Sequence, residues 1–306
     1  RSIPHPSGFS LAANHLGFAL QETDCLSLHG RAVARLQPFI EPDNRILALT
    51  SSGKTVHEAA ALLIARGFSA SRLIVLEHIG GARERRIECR ADEATAHTFA
   101  DFNMLAIECV AGEGALIRPR LAGLPNDAFV HDGQLTKREV RAATLAALAP
   151  YPKAHLWDVG AGCGSLAIEW MRGARGARAT AFERDERRLA MIAENATALG
   201  VPDLEIVTGD ALSALAAEGR QPDAVFIGGG LTQPNLFEKT WSALRAGGRL
   251  VANTVTLEGE ARLVTLHQQY GGNLVRLDVS YLVRVGQMRA MEPRMSVLQW
   301  QVEKQQ

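Results

Sequence analysis

Residues 155–165 read HLWDVGAGCGS. Leu156, Trp157 and Val159 supply the apolar run of a strand buried on both faces. Gly160, Gly162 and Gly164 follow at alternate positions. Glycine admits positive φ and lets a backbone approach a ligand closely. From Leu166 to Met171 the pattern becomes apolar and helix-like. A strand, a glycine turn and a helix start form the ligand-binding corner of a doubly wound α/β fold.

The flanking sequence repeats this unit. Ala179 to Phe182 reads as the next strand and ends on Glu183. Nucleotide folds place a carboxylate for the ribose hydroxyls at such a spot, about 20 residues after the loop. A third strand, Leu204 to Val207, precedes Gly209-Asp210-Ala211. A fourth, Ala224 to Ile227, follows Asp223, and a fifth runs from Arg249 to Ala252. Helical patterns over Arg187–Leu199 and Gln233–Leu244 separate them, and strands alternating with helices imply a parallel sheet.

The glycine spacing is G-x-G-x-G rather than the dinucleotide G-x-G-x-x-G, with Ser165 where the third dinucleotide glycine would fall. Alone, such a loop is also compatible with an ordinary strand-to-helix turn. With five elements in register, Asp158 to Gly164 resembles the first motif of class I S-adenosylmethionine (SAM) methyltransferases. The resemblance implies that Gly160, Ala161, Gly162, Cys163 and Gly164 line the methionine end of SAM. It implies that Glu183 takes the ribose, and that Asp210 and Ala211 lie beside the adenine. Asp158 would support the loop, a role compatible with capping the next turn. Cys163 reads as a small residue packed under the cofactor, not as a nucleophile, because no histidine lies nearby in sequence to activate it.

Composition narrows the classes. The 306 residues suffice for two domains. Lys plus Arg and Asp plus Glu each number 33, so net charge points to neither nucleic acid nor an anionic membrane. No apolar run is long enough to span a bilayer, and the first residues lack a basic stretch followed by an apolar core. Cys25, Cys89, Cys109 and Cys163 show no C-x-x-C or zinc spacing and read as reduced thiols of a cytoplasmic protein. The nine histidines show neither H-x-x-x-H nor H-E-x-x-H spacing, so no metal is expected.

The first 120 or so residues read as helix 6–20, strand Ile46–Thr50, helix Val56–Arg66, strand Leu73–Leu76 and strand Met104–Val110. Here PSGFSLAANHLG (6–17), SLHGR (27–31), LALTSSGKT (47–55) and VLEHIGGARERR (75–86) resemble the C-terminal half of a tetrapyrrole (corrin/porphyrin) methylase domain. Further on, LTKREVRAATLAAL (135–148), DVGAGCGS (158–165), FIGGG (226–230) and VANTVTLE (251–258) resemble the decarboxylating precorrin methyltransferase domain. The expected domains are therefore 1–122 and 123–306. The second is a Rossmann-like α/β domain with a mostly parallel seven-stranded sheet, after a partial α/β methylase domain.

This family methylates carbons 5 and 15 of a precorrin macrocycle and removes the carboxyl of an acetate side chain, in cobalamin biosynthesis. The glycine-rich SAM loop of the family's N-terminal domain is not found here, so the resemblance implies that this chain keeps the carbon-15 and decarboxylating activity. It also implies that Thr136 contacts the methionine end of SAM. A polycarboxylate substrate calls for guanidinium groups. Arg284, Arg289 and Arg294 lie in a stretch read as a loop between two strands, either a clamp or ordinary surface charge. Gly228, Gly229 and Gly230 end the fourth strand and leave room for a flat macrocycle, or form a flexible turn. Asn253 and Thr254 end the fifth strand, facing substrate or capping a turn. A homo-oligomer, a tetramer on the C-terminal domain, is expected through the strand-like MSVLQWQV (295–302). The competing readings are a SAM enzyme acting on RNA or on another small molecule.

Overall fold

A computed structural model describes residues 5–209 and 221–305. The chain divides into two compact units, Arg1–Pro119 with Ala198–Pro202, and Arg120–Thr197 with Asp203–Gln306.

Among the described residues, the first unit holds five strands: β1 (Asp24–Ser27), β2 (Arg45–Leu49), β3 (Arg72–Glu77), β4 (Arg85–Arg90) and β5 (Asn103–Glu108). Their order is β1-β2-β5-β3-β4. Side chains along a strand alternate between faces, and the sequence uses both. Ile46, Leu73, Val75, Leu105 and Ile107 bury one face with Val56 and Leu63 of helix Gly53–Ala65. Leu47, Ile74, Leu76, Met104 and Ala106 bury the other with Ala12 and Ala13 of helix Gly8–Leu16. That helix is shorter than the 6–20 pattern. The Ser7 hydroxyl accepts from Ser10 N–H at its start, and Gly17 ends it at φ 67°. Strand β4 is not evident in the sequence because RRIECR is a charged, largely exposed edge rather than an apolar run.

Among the described residues, the main sheet of the second unit has seven strands. They are β6 (His155–Val159), β7 (Arg178–Glu183), β8 (Glu205–Thr208), β9 (Ala224–Ile227), β10 (Arg249–Thr254), β11 (Asn273–Leu277) and β14 (Val297–Glu303). Their order is β11-β14-β10-β9-β6-β7-β8. The run β10-β9-β6-β7-β8 is parallel, and β14 is antiparallel to both neighbours. Trp157, Val159, Val225, Ile227, Leu250 and Trp300 form the core under the helices. Every element of the His155–Thr254 sequence reading that lies within the described residues is found within a few residues of its expected ends.

Two expectations fail. MSVLQWQV does contain a strand, but β14 is hydrogen-bonded on both sides, to β10 and β11. An interior strand has no free edge with which to pair a second subunit. The stretch 284–294 is not a loop. β12 (Ser280–Val285) and β13 (Met288–Pro293) form an antiparallel hairpin, closed by a turn with Gly286 at φ 61°. Arg284 and Arg289 face each other near its tip.

Candidate active site

The parallel strands end together, and a cavity of about 920 Å³ opens at those carboxyl ends. That is where doubly wound folds hold ligands. After Val159 the chain turns through Gly160, whose φ is 74°. A Cβ there would stand 3.0 Å from Gly229 N, so the two glycine loops approach too closely for a side chain. A Cβ on Gly228 would meet the Phe226 ring at 2.7 Å. The bare 228–230 edge is thus set by packing as well as by the rim it leaves.

The glycine loop leans on β7. Gly160 and Ala161 both donate to Phe182 O. Gly162 N–H donates to Glu183 Oε2 at 2.9 Å. The other Glu183 oxygen accepts from Arg184 and Asp185 N–H. Asp158 Oδ2 accepts from Ala167 N–H at 3.1 Å, in the first turn of helix Ser165–Gly173. Its Oδ1 is buried with no partner among the described residues. Burial pushes this carboxyl up to about 7, and nearby Glu183 adds to the rise. Burial also raises the Cys163 thiol, which makes it a poor nucleophile.

Thr136, Asp158, Gly160, Ala161, Gly162, Cys163 and Glu183 all line the cavity, as do Gly228, Gly229, Gly230, Asn253, Thr254 and Arg294. Gly164 lies behind the loop, where its Cβ would meet Ile192 at 3.0 Å. Arg284 and Arg289 do not line the cavity, since the hairpin carries them to its exposed tip. Asp210 and Ala211 lie outside the described residues. Asn253 is already engaged: its amide donates to Thr144 Oγ1 at 2.9 Å and accepts from Gln299 at 3.0 Å. Thr254 Oγ1 accepts from Thr256 N–H.

Sequence reasoning missed the supports. Arg141, on helix Arg138–Leu148, is fully buried against Glu169, with Nε to Oε1 at 2.6 Å. Arg141 also donates to Thr136 O and Leu124 O, while Glu169 accepts from Gly123 and Leu124 N–H. The pair therefore fixes the segment that carries Thr136. Asn195 bridges Cys163 O and the Val130 backbone. A lone carboxylate in the apolar run SLAIEWM was the available signal for the first of these. Arg188 donates to Asp132 and Gln134 beside the cavity. His131 Nδ1 accepts from Gly133 N–H, a local turn contact. Among the described residues no three His, Cys, Asp or Glu side chains group as metal ligands.

Comparison with known proteins agrees with this geometry. Residues 127–304 match the precorrin methyltransferase domain family. The chain is 46% identical to a Sinorhizobium precorrin-6Y C(5,15)-methyltransferase [decarboxylating], covering 98% of this chain and 72% of the relative. It is 38% identical to the Mycobacterium tuberculosis protein of the same name, covering 99% and 75%. Among solved structures, the C-terminal domain of precorrin-6Y C5,15-methyltransferase from Rhodobacter capsulatus is 41% identical. That similarity covers 61% of this chain and 100% of the domain, with a TM-score of 0.58. On these grounds the chain belongs to the family of decarboxylating precorrin-6Y C5,15-methyltransferases.

Proposed function

We propose that the second unit binds SAM and a precorrin-6Y macrocycle, methylates carbon 15 and releases carbon dioxide from an acetate side chain. The observation that carries this reading is one cavity that joins the Gly160–Gly164 loop and Glu183 to the bare Gly228–Gly230 rim. The fit to SAM rests on the buried, unpartnered Asp158 Oδ1 and on a loop that no side chain crowds. Bound SAM supplies an electrophilic methyl on a positively charged sulfur. Thr136, Asp158 and Gly160–Cys163, which line the cavity, would hold its methionine end, and Glu183 its ribose.

The chain's own contribution is chiefly position. Well-oriented reactants save about 7–11 kcal/mol of barrier. The macrocycle lies on the glycine rim, with Asn253 and Thr254 along one side and Arg294 receiving a peripheral carboxylate. When the acetate carbon–carboxyl bond breaks, its electrons pass into the conjugated ring, and the carbon left behind takes a proton. The ring is the electron sink, so the scheme asks for no pyridoxal, thiamine or metal.

The four free thiols suit a reducing cytoplasm. The hairpin leaves Leu282, Val285, Met288 and Met291 exposed, a patch that favours self-association into a homo-oligomer. The first unit is read as part of a tetrapyrrole methylase domain, and no reaction is assigned to it alone. Incubation of the chain with precorrin-6Y and methyl-labelled SAM tests the reading by mass spectrometry. One labelled methyl gained with one carbon dioxide lost supports it; an unchanged macrocycle overturns it.

A further inference from the structure

Tyr281 lies at the base of the β12–β13 hairpin and lines the cavity together with Arg294. Its hydroxyl donates to Glu139 Oε2 at 2.5 Å. Glu139 sits in the first turn of helix Arg138–Leu148, two residues after Lys137, which with Thr136 lines the same cavity. The Arg294 guanidinium carbon stands 5.4 Å from the centre of the Tyr281 ring. Arg294 is also held by its backbone, whose N–H donates to Val279 O at 2.8 Å. Glu292, directly across the ladder from Tyr281, lies 3.3 Å from one Arg294 nitrogen. A guanidinium has five N–H donors, so this ion pair leaves most of them for another acceptor.

We infer that Tyr281 is a positioning residue for the macrocycle. Its ring seats the Arg294 guanidinium at the cavity, where it receives a peripheral carboxylate of an anionic tetrapyrrole. Its hydroxyl, through Glu139, fixes that seat relative to the helix start beside Thr136. The ring sets where the substrate anion is held, and the hydroxyl sets its reach from the methyl donor. An aromatic face suits this task because it attracts a guanidinium without neutralising it. This inference deepens the assignment of the cavity to a precorrin and rests on it.

The test uses the full chain and three substitutions: Tyr281→Ala, Tyr281→Phe and Arg294→Ala. Uroporphyrin, a polycarboxylated porphyrin, serves as a fluorescent binding probe; SAM affinity and turnover of precorrin-6Y are measured alongside. Tyr281→Ala weakens the probe about fivefold and raises KM for precorrin-6Y to match, with SAM affinity unchanged. Tyr281→Phe keeps the ring, so it restores probe affinity while kcat falls. Because Tyr281 acts through Arg294, the double substitution Tyr281→Ala, Arg294→Ala binds no more weakly than Arg294→Ala alone. Unchanged probe binding in Tyr281→Ala, additive losses in the double variant, or a parallel loss of SAM affinity overturns the inference. Should the unsubstituted chain show the probe pattern yet leave precorrin-6Y untouched, the substrate assignment fails and the Arg294 seat stands. Normal turnover with an inert Tyr281→Ala defeats the seat alone. Neither probe binding nor turnover defeats both.

Discussion

Gly162 N–H and the Glu183 carboxylate are joined by a 2.9 Å hydrogen bond, so the glycine loop and the strand-end acid form one piece. The Glu183 carboxylate accepts from three backbone N–H groups. Replacing it disturbs the loop as well as any ribose contact. Glu183→Gln puts an amide N–H where acceptors are needed. Hydrogen bonds to charged groups contribute about 1.5–3 kcal/mol, which predicts SAM binding weaker by about 10- to 100-fold. Isothermal titration calorimetry measures it.

The loop glycines differ in what surrounds them. A Cβ on Gly160 meets Gly229 backbone at 3.0 Å, whereas one on Gly162 has its nearest neighbour, Gln134 O, at 3.6 Å. Both residues have positive φ, a conformation that costs an L side chain about 1–2 kcal/mol. Gly160→Ala adds a backbone clash to that strain. It is expected to lower the thermal midpoint, and SAM affinity, more than Gly162→Ala does; differential scanning calorimetry compares them.

Arg141 and Glu169 are both buried, so removing one partner strands the other. Breaking a buried pair costs about 3–5 kcal/mol. Glu169→Ala is expected to lose stability in that range by urea unfolding. It also frees the Gly123 and Leu124 N–H groups and loosens the Thr136 segment.

Asp158 predicts a pH dependence. Its carboxyl is raised to about 7, mainly by burial. An acid raised in the folded state contributes stability that is complete below its ordinary value near 4 and is lost as pH rises toward about 7. Asp158→Asn should flatten that fall in a series of melting temperatures. SAM carries cationic groups and favours the ionised carboxylate, so its affinity should rise through pH 7 in the native chain and stay level in Asp158→Asn.

The central architecture was legible because its determinants are local. Apolar runs such as Leu156–Val159 and Ala224–Ile227 are what buried parallel strands require, and the glycines between them mark the turn. The cavity lining at Gly160–Cys163, Glu183 and Gly228–Gly230 lies at those same strand ends, whereas Thr136, ahead of a helix, came from the family resemblance alone. What the sequence hid is contact at long range. Arg141 and Glu169 read as ordinary helix charges until their helices meet. The hairpin escaped because its strands are mostly exposed and carry charged residues opposite one another. β14 was recognisable as a strand, but its place between β10 and β11 depends on the order of the whole sheet.

The central claim is that one cavity couples methylation at carbon 15 to decarboxylation. Its most direct test is a single-turnover reaction of the chain with precorrin-6Y and carbon-13 methyl SAM. Product NMR locates the label, and released carbon dioxide is counted against it. The account predicts label at carbon 15, with one carbon dioxide for each methyl placed there. No label at carbon 15, or a product methylated at carbon 15 that keeps its acetate carboxyl, would contradict it.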